Sequence, residues 1–286
     1  MPFQYADADM IPELRRIWAD AFPQDGAEEI ESFISHAMGR YKCAVWTQDG
    51  NPVSMTFLLP AVLESVSAGS LRLVYIYAAA TLSEHRGQGI FGRLLTQVHE
   101  RLNAEGTDAC FLHPASQGLF DYYGRYGYQP FFRVVTENYP GGFAARTKAK
   151  NENHISYNIA DKRNLLLKDH PAWVRWGDDL VNMAAGNAVG SGGAVVVNDG
   201  GMAICEPAGD KLFVREWLCG SGYEDGLMAE VSERFPGRDV ILRRPAKENE
   251  ATKSEYFGMI YPLNRKIAER LKTTGDDIPY MGLAFD

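Results

Sequence analysis

Cysteine is scarce in this chain. Its 286 residues include four, at 43, 110, 205 and 219, with no C-x-x-C pair and no Cys/His cluster at zinc spacing. This argues against a disulfide framework and a zinc site, and no metal is expected. Cys43, Cys110 and Cys205 sit in apolar runs and read as small buried hydrophobes. Long hydrophobic runs are also missing: none approaches the roughly 18 apolar residues of a membrane span. The opening MPFQYADADM has neither the basic start nor the apolar core of a signal peptide. Positive charge is short, with 29 Lys and Arg against 37 Asp and Glu and a net charge of −8. Phosphate-backbone binding needs clustered cations, so nucleic acid is not expected as a partner. A cytoplasmic protein without membrane attachment follows as the expectation. The acidic balance is weakly compatible with a cationic amine substrate, although solubility alone accounts for it.

What is present is ordinary globular composition, 45% hydrophobic and 23% charged, over a length comfortable for two domains. Residues 10–22 space Ile11, Leu14, Ile17, Trp18 and Phe22 as one helix face, with Asp9 as N-cap. A second helix is expected over 29–38. Strands follow around the turn Gln48-Asp49-Gly50-Asn51, which carries the D-G hairpin signal. LRLVYIYAAAT (71–81) is a long strand, 90–102 a helix, 108–113 a strand, 119–126 a short helix and 128–135 the last strand of the first half. Pro140-Gly141-Gly142 and the polar stretch 146–153 read as a linker, dividing the chain at 145/146. Beyond it come helical signals over 161–185, with Trp173 and Trp176 as helix-packing aromatics. A second D-G hairpin, a strand over 211–219 and a helix over 223–235 then echo the first half, a weak internal duplication.

The stretch GQGIFG (87–92) fits the dinucleotide pattern G-x-G-x-x-G by letters. Its context does not fit. The segment Thr81 to Arg86 separates the strand from the first glycine, Asp108 precedes the next strand rather than ending it, and antiparallel strands come before. The physics of the glycines is independent of that pattern. Successive amides leading into a helix N-terminus make a concave donor site for phosphate, Gly87 and Gly89 permit close approach, and Arg86 adds charge.

The order strand, short loop, R-G-x-G and I-x-x-x-L-L resembles the pyrophosphate loop of the GCN5-related N-acetyltransferases, whose pattern is Q/R-x-x-G-x-G/A. Arg86, Gly89 and Phe91 fall on its fixed positions, and Phe91 departs from it, since a small residue is usual there. LFDYYGRYGYQPF resembles the family's F-Y-E-K-x-G-F segment, with Tyr123 on the tyrosine, Arg125 on the basic position and Gly127 on the glycine. Together with a degenerate second copy and an apolar C-terminus, these features are most similar to the enhanced-intracellular-survival branch, without its sterol-carrier-like domain. The strong part of the likeness spans roughly residues 3–135.

The resemblance implies an α/β fold (α+β, mixed sheet) of tandem GNAT-like domains, the second degenerate: 1–145 as the acetyl-CoA-binding acetyltransferase domain and 146–286 as its companion with a docked tail. It implies transfer of an acetyl group from acetyl-CoA directly to a primary amine of a small molecule or peptide. The amides of Gly87, Gln88, Gly89, Ile90, Phe91 and Gly92, with Arg86, would hold pyrophosphate. The backbone of Ala79, Ala80 and Thr81 would pair with the pantetheine arm, and Tyr123 would serve as general acid. By the same resemblance the terminal carboxylate of Asp286 is a candidate base, beside Glu84, His113 and Glu137. Members of that branch assemble into rings, so a homo-oligomer is compatible with it. CGSGYEDG (219–226) stands where the second half would carry its loop and lacks the arginine, so that half is expected to bind no coenzyme. Two other readings stay open: a non-catalytic coenzyme A-binding regulatory protein, and a nucleotide-dependent oxidoreductase.

Overall fold

The computed structural model describes residues 2–143, 158–274 and 277–285. In chain order the elements are β1 (Phe3–Tyr5), α1 (Ile11–Ala21), α2 (Ala27–Ala37), β2 (Lys42–Gln48), β3 (Asn51–Ser65), β4 (Leu71–Thr81), α3 (Ile90–Ala104), β5 (Ala109–Leu112), α4 (Gln117–Gly124) and β6 (Gln129–Tyr139). They continue with α5 (Ile159–Leu167), β7 (Ala172–Trp176), α6 (Asp178–Gly190), β8 (Ala194–Val197), β9 (Gly201–Ala208), β10 (Lys211–Cys219), α7 (Glu224–Arg234), β11 (Asp239–Arg244), β12 (Glu255–Pro262) and α8 (Arg265–Thr274). The fold is mixed α/β, as expected. The chain separates into two compact units, neither of them contiguous: 1–61, 71–129 and 259–271 form the first, and 62–70, 130–258 and 272–286 the second. The division expected at 145/146 lies outside the described residues.

The first unit is an antiparallel meander feeding a parallel crossover. β1 pairs with β2 and β2 with β3, whose hairpin turns through Asp49 and Gly50 at φ 50° and 84°, the left-handed pair that the D-G signal foretells. β4 is joined through α3 to β5, which it pairs in parallel. Trp18, Phe33, Phe57 and Tyr77 gather α1 and α2 onto β3 and β4, with ring centroids 4.9–6.1 Å apart. Asp9 does not cap α1; the Asp7 side chain instead accepts from the Asp9 amide and caps a short 3-10 turn ahead of it. The last strand of this unit is also different from the expectation. Met259–Pro262 of β12 pair antiparallel with β5, while β6 pairs with β11 in the second unit.

A buried polar knot sits under α3. His99 Nε2 lies 3.0 Å from the Tyr128 hydroxyl, and the ring stacks on Tyr261 at 4.0 Å and 10°. Burial pushes the His99 pKa down to about 4. The unfolded chain protonates near the ordinary 6.5 and the folded one does not until about 4, so the unfolded state binds more protons between those values. Stability is therefore complete above 6.5 and is expected to decline as pH falls to 4, by about 3 kcal/mol. Phe in place of His99 keeps a ring on Tyr261 and removes the titration. Urea titrations across that window should show a flatter acid limb in His99→Phe than in the wild type.

The second unit repeats the meander and crossover. β8 and β9 form a hairpin through Asp199 and Gly200, β9 pairs antiparallel with β10, and β10 pairs in parallel with β11 across α7. Its core gathers Val196, Ala203, Leu212, Trp217, Leu227 and Val240. The helix expected through 161–185 is broken, because Ala172–Trp176 form the strand β7 with Trp173 and Trp176 buried. Alternate packing on a sheet, rather than a helix face, is what those tryptophans serve. The Gly-rich passage 186–194 holds the last turn of α6, which runs to Gly190.

Candidate active site

β4 and β5 diverge. Their pairing covers only Leu73–Tyr75 of the 11-residue β4, and β5 ends at Leu112. Ahead of the divergent end, Ala78 takes φ 48°, a left-handed conformation that a non-glycine residue adopts only when its surroundings hold it there. Two buried hydroxyls of β3 support that irregularity. Thr56 donates to the Tyr77 carbonyl at 2.9 Å, and Ser54 to the Ala80 carbonyl at 2.8 Å. Ala79, Ala80 and Thr81 thus form a kinked strand end anchored on the β3 side, beyond its last pairing with β5. No sequence signal marks the kink, since alanine carries no left-handed preference.

The loop that follows matches its glycine expectation. Gly87 and Gly89 stand at φ 74° and 69°, and Gly89 is the N-cap of α3. The first helical bond runs from the Arg93 amide to the Gly89 carbonyl, and no side chain caps the helix. The amides of Ile90, Phe91 and Gly92 therefore point out of the helix start, where its dipole favours an anion. Arg93, which sequence reasoning passed over, reaches back along this loop: its Nη1 donates to the Gln88 carbonyl at 3.0 Å and its guanidinium lies 5.4 Å over Trp46. Arg86 is placed differently from a free phosphate clamp. Its Nε donates to the Thr81 carbonyl at 2.9 Å and its Nη2 pairs with Asp20 at 3.0 Å, so it braces the loop against β4 and α1.

Tyr123 is brought to this loop. It is buried in α4, and its ring meets Phe91 edge-on with centroids 6.5 Å apart. Tyr122 and Tyr128 close on it at 5.3 and 5.7 Å. Burial holds its phenol far above the ordinary value, so it keeps its proton at neutral pH. Gly92 has a packing reason to be glycine, because a Cβ there would fall on the Tyr126 ring. Glu84 is exposed beside Arg16, with 3.7 Å between charges. Glu137 belongs to the second unit, where Arg244 donates to it at 3.0 Å and Tyr139 at 2.6 Å. Asp286 lies outside the described residues. The tail before it is held within the second unit: Glu216 pairs with Arg163 at 2.9 Å with both side chains fully buried, and the Tyr280 hydroxyl donates to the same carboxylate at 3.1 Å. Trp176 donates to the Met281 carbonyl at 2.9 Å.

The corresponding helix start of the second unit is built to opposite effect. Glu224 and Asp225 occupy the first turn of α7, and the Glu224 carboxylate accepts from the Gly222 amide at 2.7 Å. A negative side chain already takes a loop donor there. The first turn of α3 carries no acidic residue. Among the described residues no group of three His, Cys, Asp or Glu side chains could hold a metal ion, and no helix is long and apolar enough to cross a membrane.

Residues 3–131 match the family model described as an acetyltransferase (GNAT) domain. Over those residues the chain is similar to the GNAT acetyltransferase domain. Similar solved structures include a conserved protein from Enterococcus faecalis V583 (14% identity, 93% of this chain and 73% of that one, TM-score 0.71). A GCN5-related N-acetyltransferase from Kribbella flavida is similar at 15% identity, 93% and 73% coverage and TM-score 0.67. Eis1 from Mycobacterium abscessus follows at 11%, 92% and 74%, and TM-score 0.66. At such identities the likeness establishes the fold. No curated protein matches the sequence. The GNAT match covers β4, the glycine loop, α3 and α4, the elements that carry the kinked strand end and Tyr123.

Proposed function

We infer that the protein is an N-acetyltransferase that moves the acetyl group of acetyl-CoA directly to a primary amine of a small molecule or peptide. The observation that carries this reading is the divergence of β4 from β5 beside an uncapped, glycine-led helix start, within the residues similar to a GNAT domain. The amides of residues 87–92 take the pyrophosphate, Arg93 adds positive charge beside them, and Arg86 keeps the loop in place. The strand end 79–81 offers its unpaired edge to the pantetheine arm and orients the thioester.

The neutral amine attacks the carbonyl carbon, the carbon–sulfur bond breaks, and the amine's surplus proton leaves to a base. Tyr123, as general acid, gives its proton to the departing sulfur, so that coenzyme A leaves as the thiol and the phenol regains a proton from solvent. The C-terminal carboxylate of Asp286 remains our proposal for the base. A covalent route through cysteine is disfavoured, because burial raises the thiols of Cys43 and Cys110 and pushes those of Cys205 and Cys219 up to about 12. The acid-bearing first turn of α7 supports assigning the coenzyme to the first unit alone. The test is thiol release from acetyl-CoA in the presence of a panel of primary amines (an aminoglycoside, spermidine, a lysine derivative and a short peptide), with Tyr123→Phe as comparison. A protein that binds acetyl-CoA and acetylates none of them is the regulatory binder instead.

A further inference from the structure

Phe91 is the residue of the glycine loop that a pyrophosphate site does not explain. Its amide is all that an anion needs, and the family pattern puts a small side chain there. The structure gives the ring another occupation. It stands half-buried at the start of α3 and meets the edge of Tyr123 at 6.5 Å and 81°. Tyr123 is also flanked by Tyr122 from its own helix and by Tyr128 from the segment that leads into β6. Phe91 thus joins the collar from the helix whose amides face the anion site.

We propose that Phe91 is a positioning residue: it couples the coenzyme loop to Tyr123 and fixes the phenol against the place where the thioester sulfur sits. The inference rests on the role of Tyr123 proposed above and deepens it. A rigid ring on one side of the phenol limits its swing, and small displacements of a reacting group are costly in rate while leaving distant binding contacts intact.

Phe91→Ala keeps every backbone amide of the loop, so acetyl-CoA should be held as before. The expected result is a fall of about tenfold in kcat with KM for acetyl-CoA within about twofold, and recovery to near wild-type turnover in Phe91→Tyr. The readout is thiol release from acetyl-CoA with the amine of the panel that is turned over fastest, and Phe91→Val carries the test if the alanine variant does not fold. Unchanged kcat in Phe91→Ala beside a collapsed Tyr123→Phe overturns the coupling and leaves the acid in place. A rise in KM with kcat retained overturns it too, because the ring would then serve coenzyme binding. Full turnover in Tyr123→Phe defeats the underlying assignment, whatever Phe91 does.

Discussion

Glu216→Ala is expected to destabilise the second unit by about 3–5 kcal/mol. The carboxylate takes three donor contacts from Arg163, from Nε at 3.1 and 2.9 Å and from Nη2 at 3.0 Å, in a site closed to solvent. Removing it leaves a buried guanidinium whose remaining partners are the carbonyls of Val174 and Met281. A buried charge stripped of its counter-charge recovers little from neutral oxygens. The effect reaches the tail, since Tyr280 donates to the same carboxylate and Gly282, at φ 67°, lies so close that a Cβ would land on Glu216 and Arg163. Urea unfolding followed by tryptophan fluorescence reads this unit through Trp173, Trp176 and Trp217. Pairing Glu216→Leu with Arg163→Met should recover most of the loss, because an apolar replacement removes both desolvation costs together. A loss under about 1 kcal/mol in Glu216→Ala would show that the pair does not hold the tail.

Tyr123→Phe is expected to lower kcat at least about a hundredfold while acetyl-CoA affinity stays within about twofold. The ring and its three aromatic neighbours survive the change, so packing is retained. What disappears is the proton poised at the departing sulfur. Burial raises the phenol's pKa, which keeps that proton in place through the neutral range. Steady-state kinetics with titration calorimetry separates the outcomes. Undiminished turnover would remove Tyr123 from the chemistry, and lost binding would make it part of the coenzyme site.

The parts that were legible in the sequence are those fixed by short-range physics. Asp49-Gly50 turns where it does because left-handed conformations are cheap for those residues, at φ 50° and 84°. Gly87 and Gly89 announce a helix start with open amides for the same reason. The exchange of strands was not legible: EYFGMIYP carries an ordinary strand pattern, and nothing local says that β5 rather than a neighbour in sequence will receive it. Trp173 and Trp176 follow polar Lys168, Asp169 and His170, and their strand owes its place to distant partners, among them the Tyr280 amide that donates to the Ala172 carbonyl. The kink at Ala78 depends on Ser54 and Thr56, far away in the chain, and the bracing of Arg86 depends on Asp20. Phe91 stands out in the sequence as a departure from the family pattern; its edge contact with Tyr123 depends on where α4 packs, which the sequence around Phe91 does not indicate.

The central claim is that the loop 87–92 holds the pyrophosphate of acetyl-CoA. Isothermal titration of acetyl-CoA into the wild type and into Gly89→Glu, with NADH as control ligand, tests it most directly. The variant places a carboxylate and a disfavoured left-handed side chain at the helix cap. The account predicts acetyl-CoA binding to the wild type, its loss in a folded Gly89→Glu, and no binding of NADH. Equal binding of acetyl-CoA to both proteins, or none to the folded wild type, would contradict it.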